Sequence, residues 1–294
     1  MRILVIAFAV LFAASPAPAR DLRDILKELK TQTQPSEQAP PKAAAEGARP
    51  GNEGNLPAIA PFGKVPVEDE IKIGQQIAGS LLGAAPLVED AALQRYVNRV
   101  GRWLTLHGER PDLPWTFGVI DSTDVNAFAA PGGYIFVTKG LYALLRDEAE
   151  LAGVLAHEIA HVTQKHHLKV MQQSQLISAG SQLLGKKLAK DERARALIGS
   201  GAEIMARGLD KSAEFEADRM GVVLATRAGY DSFGLPAVLQ EIGQAAQNAG
   251  SVALLFKTHP HPDERLTKLS EAMGSRFDAV PNGRNLAERL HVLK

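Results

Sequence analysis

The sequence predicts a mostly helical α+β domain in which a small β-sheet lies beside one buried helix, preceded by a leader and a flexible linker. Three observations carry this. Apolar residues recur at helical spacing through most of the chain beyond Val67. One stretch, WTFGVIDSTDVNAFAAPGGYIFVTKG (residues 115–140), is instead rich in Val, Ile, Phe and Thr and is punctuated by Pro131-Gly132-Gly133. That is the composition of two or three short strands around a turn. Finally, LAHEIAHVTQKHH (residues 155–167) holds four of the chain's eight histidines and a glutamate, with apolar Val154, Leu155 and Val162 flanking the first two histidines.

Taken in order, the chain opens MRILVIAFAVLFAASPAPARD. Its single Arg, apolar run from Ile3 to Ala14 and Ala17-Pro18-Ala19 site have the layout of a secretory signal, with cleavage expected after Ala19. The run is too short to span a bilayer. Residues 20–66 combine an amphipathic segment, DLRDILKELK, with a stretch rich in Pro, Gly, Ala, Gln and Glu. Such a stretch buries too little apolar surface to offset its ordering entropy and reads as a linker. Residues 67–294 form the folded domain. Within it, helices are expected with Ile71, Ile77, Leu81 and Leu82 on one face, and with Leu93, Tyr96, Val97, Val100 and Leu104 on another. After the strands, Thr138–Leu145 reads as helical. Asp147 with Glu150 resembles a capping box that opens a helix running through the histidines toward Gln172. Further helices are expected over 174–207, 212–227 and 234–248.

Composition narrows the function. Lys plus Arg equals Asp plus Glu at 33 each, so no basic surface invites nucleic acid. No later segment reaches eighteen consecutive apolar residues, so no transmembrane helix is expected in the mature chain. The absence of Cys excludes disulfides and a lipid-modified N-terminal Cys. A periplasmic location fits this combination.

His157-Glu158-Ile159-Ala160-His161 is HExxH. On a helix the two histidines stand one turn apart and face one ion, while Glu158, turned by about 100°, reaches a water without being a ligand. A catalytic zinc needs a third protein ligand, and two candidates compete. His167 lies ten residues after His157, the spacing of HExxHxxGxxH. The turn-forming Gly of that pattern is Gln164 here, however, which favours continued helix. On a continuing helix His166 and His167 point away from His161 and read as solvated surface residues. The second candidate is KSAEFEADRMG, where Glu214 and Asp218 share a helix face and Glu216 is turned about 160° from Glu214. Glu214 would bind the ion and Asp218 would accept the free N–H of a ligand histidine. Ala213, Ala217 and Gly221 are small enough for close helix approach.

With these residues in hand, the sequence resembles a family of zinc endopeptidases, the gluzincins that include the CaaX prenyl protease, HtpX, Oma1 and BepA. The resemblance runs from Val67 to Leu269 through four segments in order: VNAFAAPGGYIFVTKGL, LAGVLAHEIAHV, SAEFEADRMG and THPHPDERL. It implies a zincin-like metallopeptidase domain holding one Zn2+ per chain, with His157, His161 and Glu214 as ligands, Glu158 as general base and Asp218 behind a ligand. His259 and Arg265 match the family's H-P-x-x-x-x-R segment, and the resemblance makes them candidates for stabilising the oxyanion, with His259 alternatively capping the metal. Lys211 stands where the family often has Arg. Val125–Ala130 is then expected to be the sheet edge above the metal, with Asn126, Ala127 and Phe128 pairing with an extended substrate. The expected function is a periplasmic endopeptidase of protein quality control, acting on unfolded or misfolded envelope proteins and engaging the envelope assembly machinery. The rival is a chaperone-like assembly factor with a structural or capped zinc.

Overall fold

The computed structural model describes residues 63–183, 209–246, 252, 255–277 and 283–293. The expected signal, the amphipathic segment and all but the end of the linker lie outside these residues, as do 184–207 of the expected 174–207 helix. The expected class is observed: a mostly helical α+β domain with a small sheet beside the HExxH helix.

Helix α1 (Val67–Ala84) begins with Glu68, Asp69 and Glu70, whose charges suit the positive end of the helix dipole. Its buried face is Glu70, Ile73, Gly74, Ile77 and Ala78, rotated from the expected one. Ile71, Leu81 and Leu82 are only half-buried, because the face turns to bring the Glu70 carboxylate inward. Helix α2 (Ala91–Thr105) is capped by Asp90, which accepts from the N–H groups of Ala92 and Leu93. All five expected core residues of α2 are buried.

The sheet contains β1 (Thr116–Ile120), β2 (Ala127–Ala130) and β3 (Tyr134–Thr138) in the order β1-β3-β2. β1 runs parallel to the central β3, and β2 pairs antiparallel with it, Phe128 opposite Phe136. The β2–β3 turn uses Gly132 and Gly133 at φ of 76° and 102°, left-handed values that glycine adopts without steric cost. Of the expected helix over 138–145 only α3 (Lys139–Tyr142) forms, with Thr138 as its cap.

Helix α4 (Glu148–Thr163) carries HExxH and is buried at every residue except Thr163, as a helix packed on all sides must be. It lies against β2 and β3 on one side and against two later helices, α6 (Lys211–Arg227) and α7 (Gly234–Ala246), on others. The capping box at its start is half made. Asp147 Oδ1 accepts from Glu150 N at 2.8 Å, but the Glu150 carboxylate binds Arg146 N and Nε instead of returning to Asp147.

The helix does not continue to Gln172. Lys165 has φ 56°, which ends α4 and starts α5 (His166–Leu183) in a new direction. Beyond α7, the short α8 (Leu255–Thr258) precedes α9 (Pro262–Met273), which has His261 as its cap and Pro262 in its first turn. Among the described residues no helix is long and apolar enough to cross a membrane.

Candidate metal centre

The site is built where α4 and α6 cross. Asp210 caps α6 by accepting from Ala213 N at 2.9 Å, which fixes the helix start one turn before Glu214. Close approach then depends on small residues. Ala217 is fully buried, and a Cβ on Gly221 would lie 3.0 Å from His157 N. The two helices meet backbone to backbone, so a carboxylate on α6 reaches the histidines of α4.

One ligand atom each from His157, His161, Glu214 and His259 lies within 4.8 Å of the others, and all four residues are buried. His157 Nε2 and His161 Nε2 face each other at 3.0 Å. They stand 3.7 and 3.6 Å from Glu214 Oε2 and Oε1. Both Glu214 oxygens are buried without a hydrogen-bond partner. An ionised carboxylate left in that state is costly by several kcal/mol, and burial pushes the Glu214 pKa well up, opposed in part by Arg265. Asp218 Oδ1 sits 3.0 Å from His157 Nδ1. Because a carboxylate only accepts, the proton of His157 belongs on Nδ1 and its Nε2 lone pair points into the cluster. Burial also holds His157 and His161 below the usual imidazole range, so both are neutral at pH 7. Converging lone pairs beside an orphaned carboxylate are a donor set for a divalent cation.

The other expected residues fall around this cluster. Glu158 is buried, and desolvation raises its pKa to about 8 even though Arg265 opposes the shift. Its carboxylate lies 4.0 Å from His259 Nε2, which is in turn 3.9 Å from Glu214 Oε2. Arg265 is neither a surface ion pair nor free to face a substrate. Its guanidinium donates to both Asp218 oxygens at 2.6 and 3.0 Å, and Nη2 lies 3.4 Å from each ring nitrogen of His157. It therefore sits behind His157 rather than inside the cluster. Burial alone would raise the Asp218 pKa, yet Arg265 and His157 outweigh it and hold it far below the carboxylate range. Lys211, at the family's Arg position, pairs with Glu264 at the surface.

Two expectations need correction. His166 and His167 are not solvated: both are buried, because the left-handed turn at Lys165 folds α5 back against the site. His166 Nδ1 lies 2.9 Å from His161 Nδ1, and its Nε2 lies 3.3 Å from Glu216 Oε2. His167 stays outside the cluster that could hold a metal but lines the same cleft as Glu158, Glu214 and His259. The second correction concerns β2, which is indeed the sheet edge. Asn126 and Thr138 exchange hydrogen bonds through Asn126 O and N, the latter to Thr138 Oγ1. By antiparallel alternation Phe128 also turns its backbone to β3, leaving Ala127 and Ala129 facing outward. The Ala127 N–H is taken by Asn126 Oδ1, so Ala129 holds the outward donor. Phe128 borders the cleft but packs its side chain against the α1 core residues Ile73, Ile77 and Ala78, while Asn126 is wholly buried.

A model of peptidase family M48 matches residues 89–273, more than half of the chain. The chain belongs to peptidase family M48. It is 30% identical over 208 residues to a beta-barrel assembly-enhancing protease of Escherichia coli K12, an alignment covering 68% of this chain and 43% of that protein. Against the beta-barrel assembly-enhancing protease of Yersinia pestis it is 30% identical over 211 residues, with 68% and 43% covered. Against the mitochondrial metalloendopeptidase OMA1 of Schizosaccharomyces pombe it is 28% identical over 177 residues, with 60% and 52% covered. This M48 chain thus spans less than half the length of the two bacterial relatives. Membership of M48 implies a metal cofactor, and the buried His/Glu cluster is where the residues fit one.

Proposed function

We propose that the protein is a zinc-dependent endopeptidase of the bacterial periplasm, acting on misfolded or unassembled envelope proteins. The observation that carries the metal chemistry is the orphaned, buried Glu214 carboxylate facing two histidine nitrogens, with Glu158 beside them. His157, His161 and Glu214 would hold the ion. When bound, zinc supplies a Lewis acid for the scissile carbonyl and acidifies a water. Glu158 is the proton carrier. Its carboxylate lies beside the cluster, 4.0 Å from His259 Nε2, placed to take a proton from a water and to return it to a leaving amine. Ala129 and Ala127 offer one backbone N–H and two carbonyls along the β2 edge, the means of holding an extended chain by its main chain. Such binding selects segments that are not already folded, which supports the assignment of unfolded substrates. The names of the bacterial relatives support an envelope setting, as do the leader-like N-terminus and the cysteine-free composition.

A second reading has its own observation. The cleft bounded by Ala127, Phe128, Ala129, Glu158, His167, Leu209, Glu214, Thr258 and His259 has a volume of only about 10 Å³, room for one water and no peptide. With His259 among the four candidate ligand residues and its Nε2 3.9 Å from Glu214 Oε2, the arrangement suits a site capped at rest, in a dormant protease or in an assembly factor that does not cleave. Glu158→Gln separates these. We expect the variant to keep stoichiometric zinc and to lose casein cleavage by at least about a hundredfold, as for removal of a general base. Unchanged cleavage would remove Glu158 from the reaction. A zinc-loaded wild type that cleaves nothing, while His259→Ala gains activity, would establish the capped state.

A further inference from the structure

The metal cluster has two histidine arms, and only the His157 arm is accounted for by the family's Asp218. The other arm runs outward from His161 Nδ1 to His166 Nδ1 at 2.9 Å, and from His166 Nε2 to Glu216 Oε2 at 3.3 Å. His161 and His166 are buried, whereas the Glu216 side chain is 42% exposed. We propose that His166 and Glu216 form a positioning relay that fixes the tautomer of His161, so that its Nε2 lone pair is presented to the metal. The inference rests on the metal-site reading above.

The proton order follows from the end of the chain. An ionised Glu216 only accepts, so His166 carries its proton on Nε2 and leaves its Nδ1 as a lone pair. The facing His161 Nδ1 must then be the donor, and His161 Nε2 is left unprotonated. The opposite order would set an unprotonated His166 Nε2 against a carboxylate and put a proton on the nitrogen that should bind metal. Asp218 imposes the same order on His157 from the other side. Carboxylates at the two outer ends thus make both Nε2 atoms acceptors at once, and outer partners of this kind raise ligand basicity.

The backbone is bent to make this contact. A histidine five residues after His161 cannot meet it on a regular helix. Lys165 instead adopts φ 56°, a left-handed conformation unfavourable for a residue with a Cβ. The surroundings hold it there. Lys165 Nζ pairs with the buried Glu70 at 3.0 Å. Arg110 grips the same carboxylate at 2.8 and 2.9 Å and donates to Val162 O, at the end of α4, at 3.2 Å. Lys165 N–H also donates to Val162 O at 3.1 Å, closing the end of α4, and what the turn delivers is the ring of His166 on the ring of His161.

The test is made on the full chain loaded with zinc and, in parallel, with Co2+. Chelator competition gives the metal dissociation constant, and Co2+ absorption reports on the ligand field. His166→Ala is expected to weaken zinc binding about 10- to 100-fold, the usual effect of losing an outer partner, and to shift the Co2+ bands. His166→Asn, whose amide oxygen replaces Nδ1 as the acceptor, should restore affinity to within about threefold of wild type. Glu216→Ala, a surface change that leaves folding intact, should weaken binding about three- to tenfold. Nitrogen NMR of the metal-free protein should show His166 in the Nε2–H form and His161 in the Nδ1–H form. The opposite tautomers would overturn the relay, as would wild-type affinity in both His166→Ala and Glu216→Ala. So would a His166→Asn that binds no better than His166→Ala, since packing alone would then explain the loss. Glu214→Ala is the control: if it too retains zinc, the metal-site reading fails, whereas its loss of zinc beside a normal His166→Ala sinks the relay alone.

Discussion

At the residue scale, the contrast between Glu214 and Arg265 shows what spacing can and cannot reveal. Glu214 and Asp218 were legible because a helix maps i and i+4 onto one face, and two carboxylates there beside an HExxH have few purposes. Arg265 could be placed near the site by its resemblance to a family segment, but not oriented. Its guanidinium turns to Asp218 because a buried carboxylate hydrogen-bonded to His157 on one oxygen needs a second donor, and the bidentate fork satisfies both oxygens. Removing it strands Asp218 in a dry pocket. Arg265→Ala is therefore expected to cost about 3 kcal/mol of stability, the lower range for breaking one side of a buried pair, and to weaken zinc binding at the same time. Arg265→Lys should recover only part of each, because an ammonium cannot bridge two oxygens. Thermal unfolding with and without zinc checks both. If Arg265→Ala abolished cleavage while leaving zinc affinity and melting temperature untouched, the guanidinium would have to act on the substrate after all.

At the element scale, helix identities were legible where apolar periodicity is strong, as in α2, and boundaries were not. The misreading of His166 and His167 came from one residue. Gln164 does stay helical, with φ −82°, and the turn falls on Lys165, whose left-handed conformation no propensity foretells. It is imposed by Glu70, almost a hundred residues earlier in the chain. The edge strand was legible as a strand, but not which of its residues face outward. That parity depends on how Thr138 pairs with Asn126, and a slip of one residue exchanges the two sets. The parity has a direct consequence. Ala129 turns its N–H away from β3, so Ala129→Pro leaves the β2–β3 ladder intact and deletes only the donor available to a bound chain. Cleavage of casein should fall about tenfold, the worth of one hydrogen bond of roughly 1–1.5 kcal/mol, with zinc content unchanged. Phe128→Pro, which removes an N–H that β3 uses, should unfold the edge instead. If Ala129→Pro cleaved as well as wild type, substrates would not be held by strand addition.

At the scale of the whole molecule, Glu70 joins parts that the sequence kept far apart. Its carboxylate, fully buried on α1, binds Arg110, Lys165 and the N–H of Gly132 in the β2–β3 turn. One side chain thereby ties the first helix, the sheet and the end of the HExxH helix together. The apolar pattern could not reveal this, since a Glu three residues into a helix is most simply read as a response to the dipole. Burial on its own would raise its pKa, but the hydrogen bonds and charges of Arg110 and Lys165 outweigh it, and the pKa is lowered from 4.5. A depressed carboxylate contributes stability that is complete above its unfolded pKa and is lost as pH falls through its folded one. Glu70 should therefore make the protein more acid-sensitive below about pH 4.5. In Glu70→Gln that part of the pH dependence should vanish. The variant should also be less stable at pH 7 by about 2–3 kcal/mol, below the value for a fully buried pair because Arg110 and Lys165 keep some access to water. Denaturant titrations of wild type and variant from pH 7 to pH 3 measure both effects. Parallel stability curves for the two proteins across that range would mean that the Glu70 carboxylate is not ionised in the fold, and the node would then not be the charged clamp that holds Lys165 in its turn.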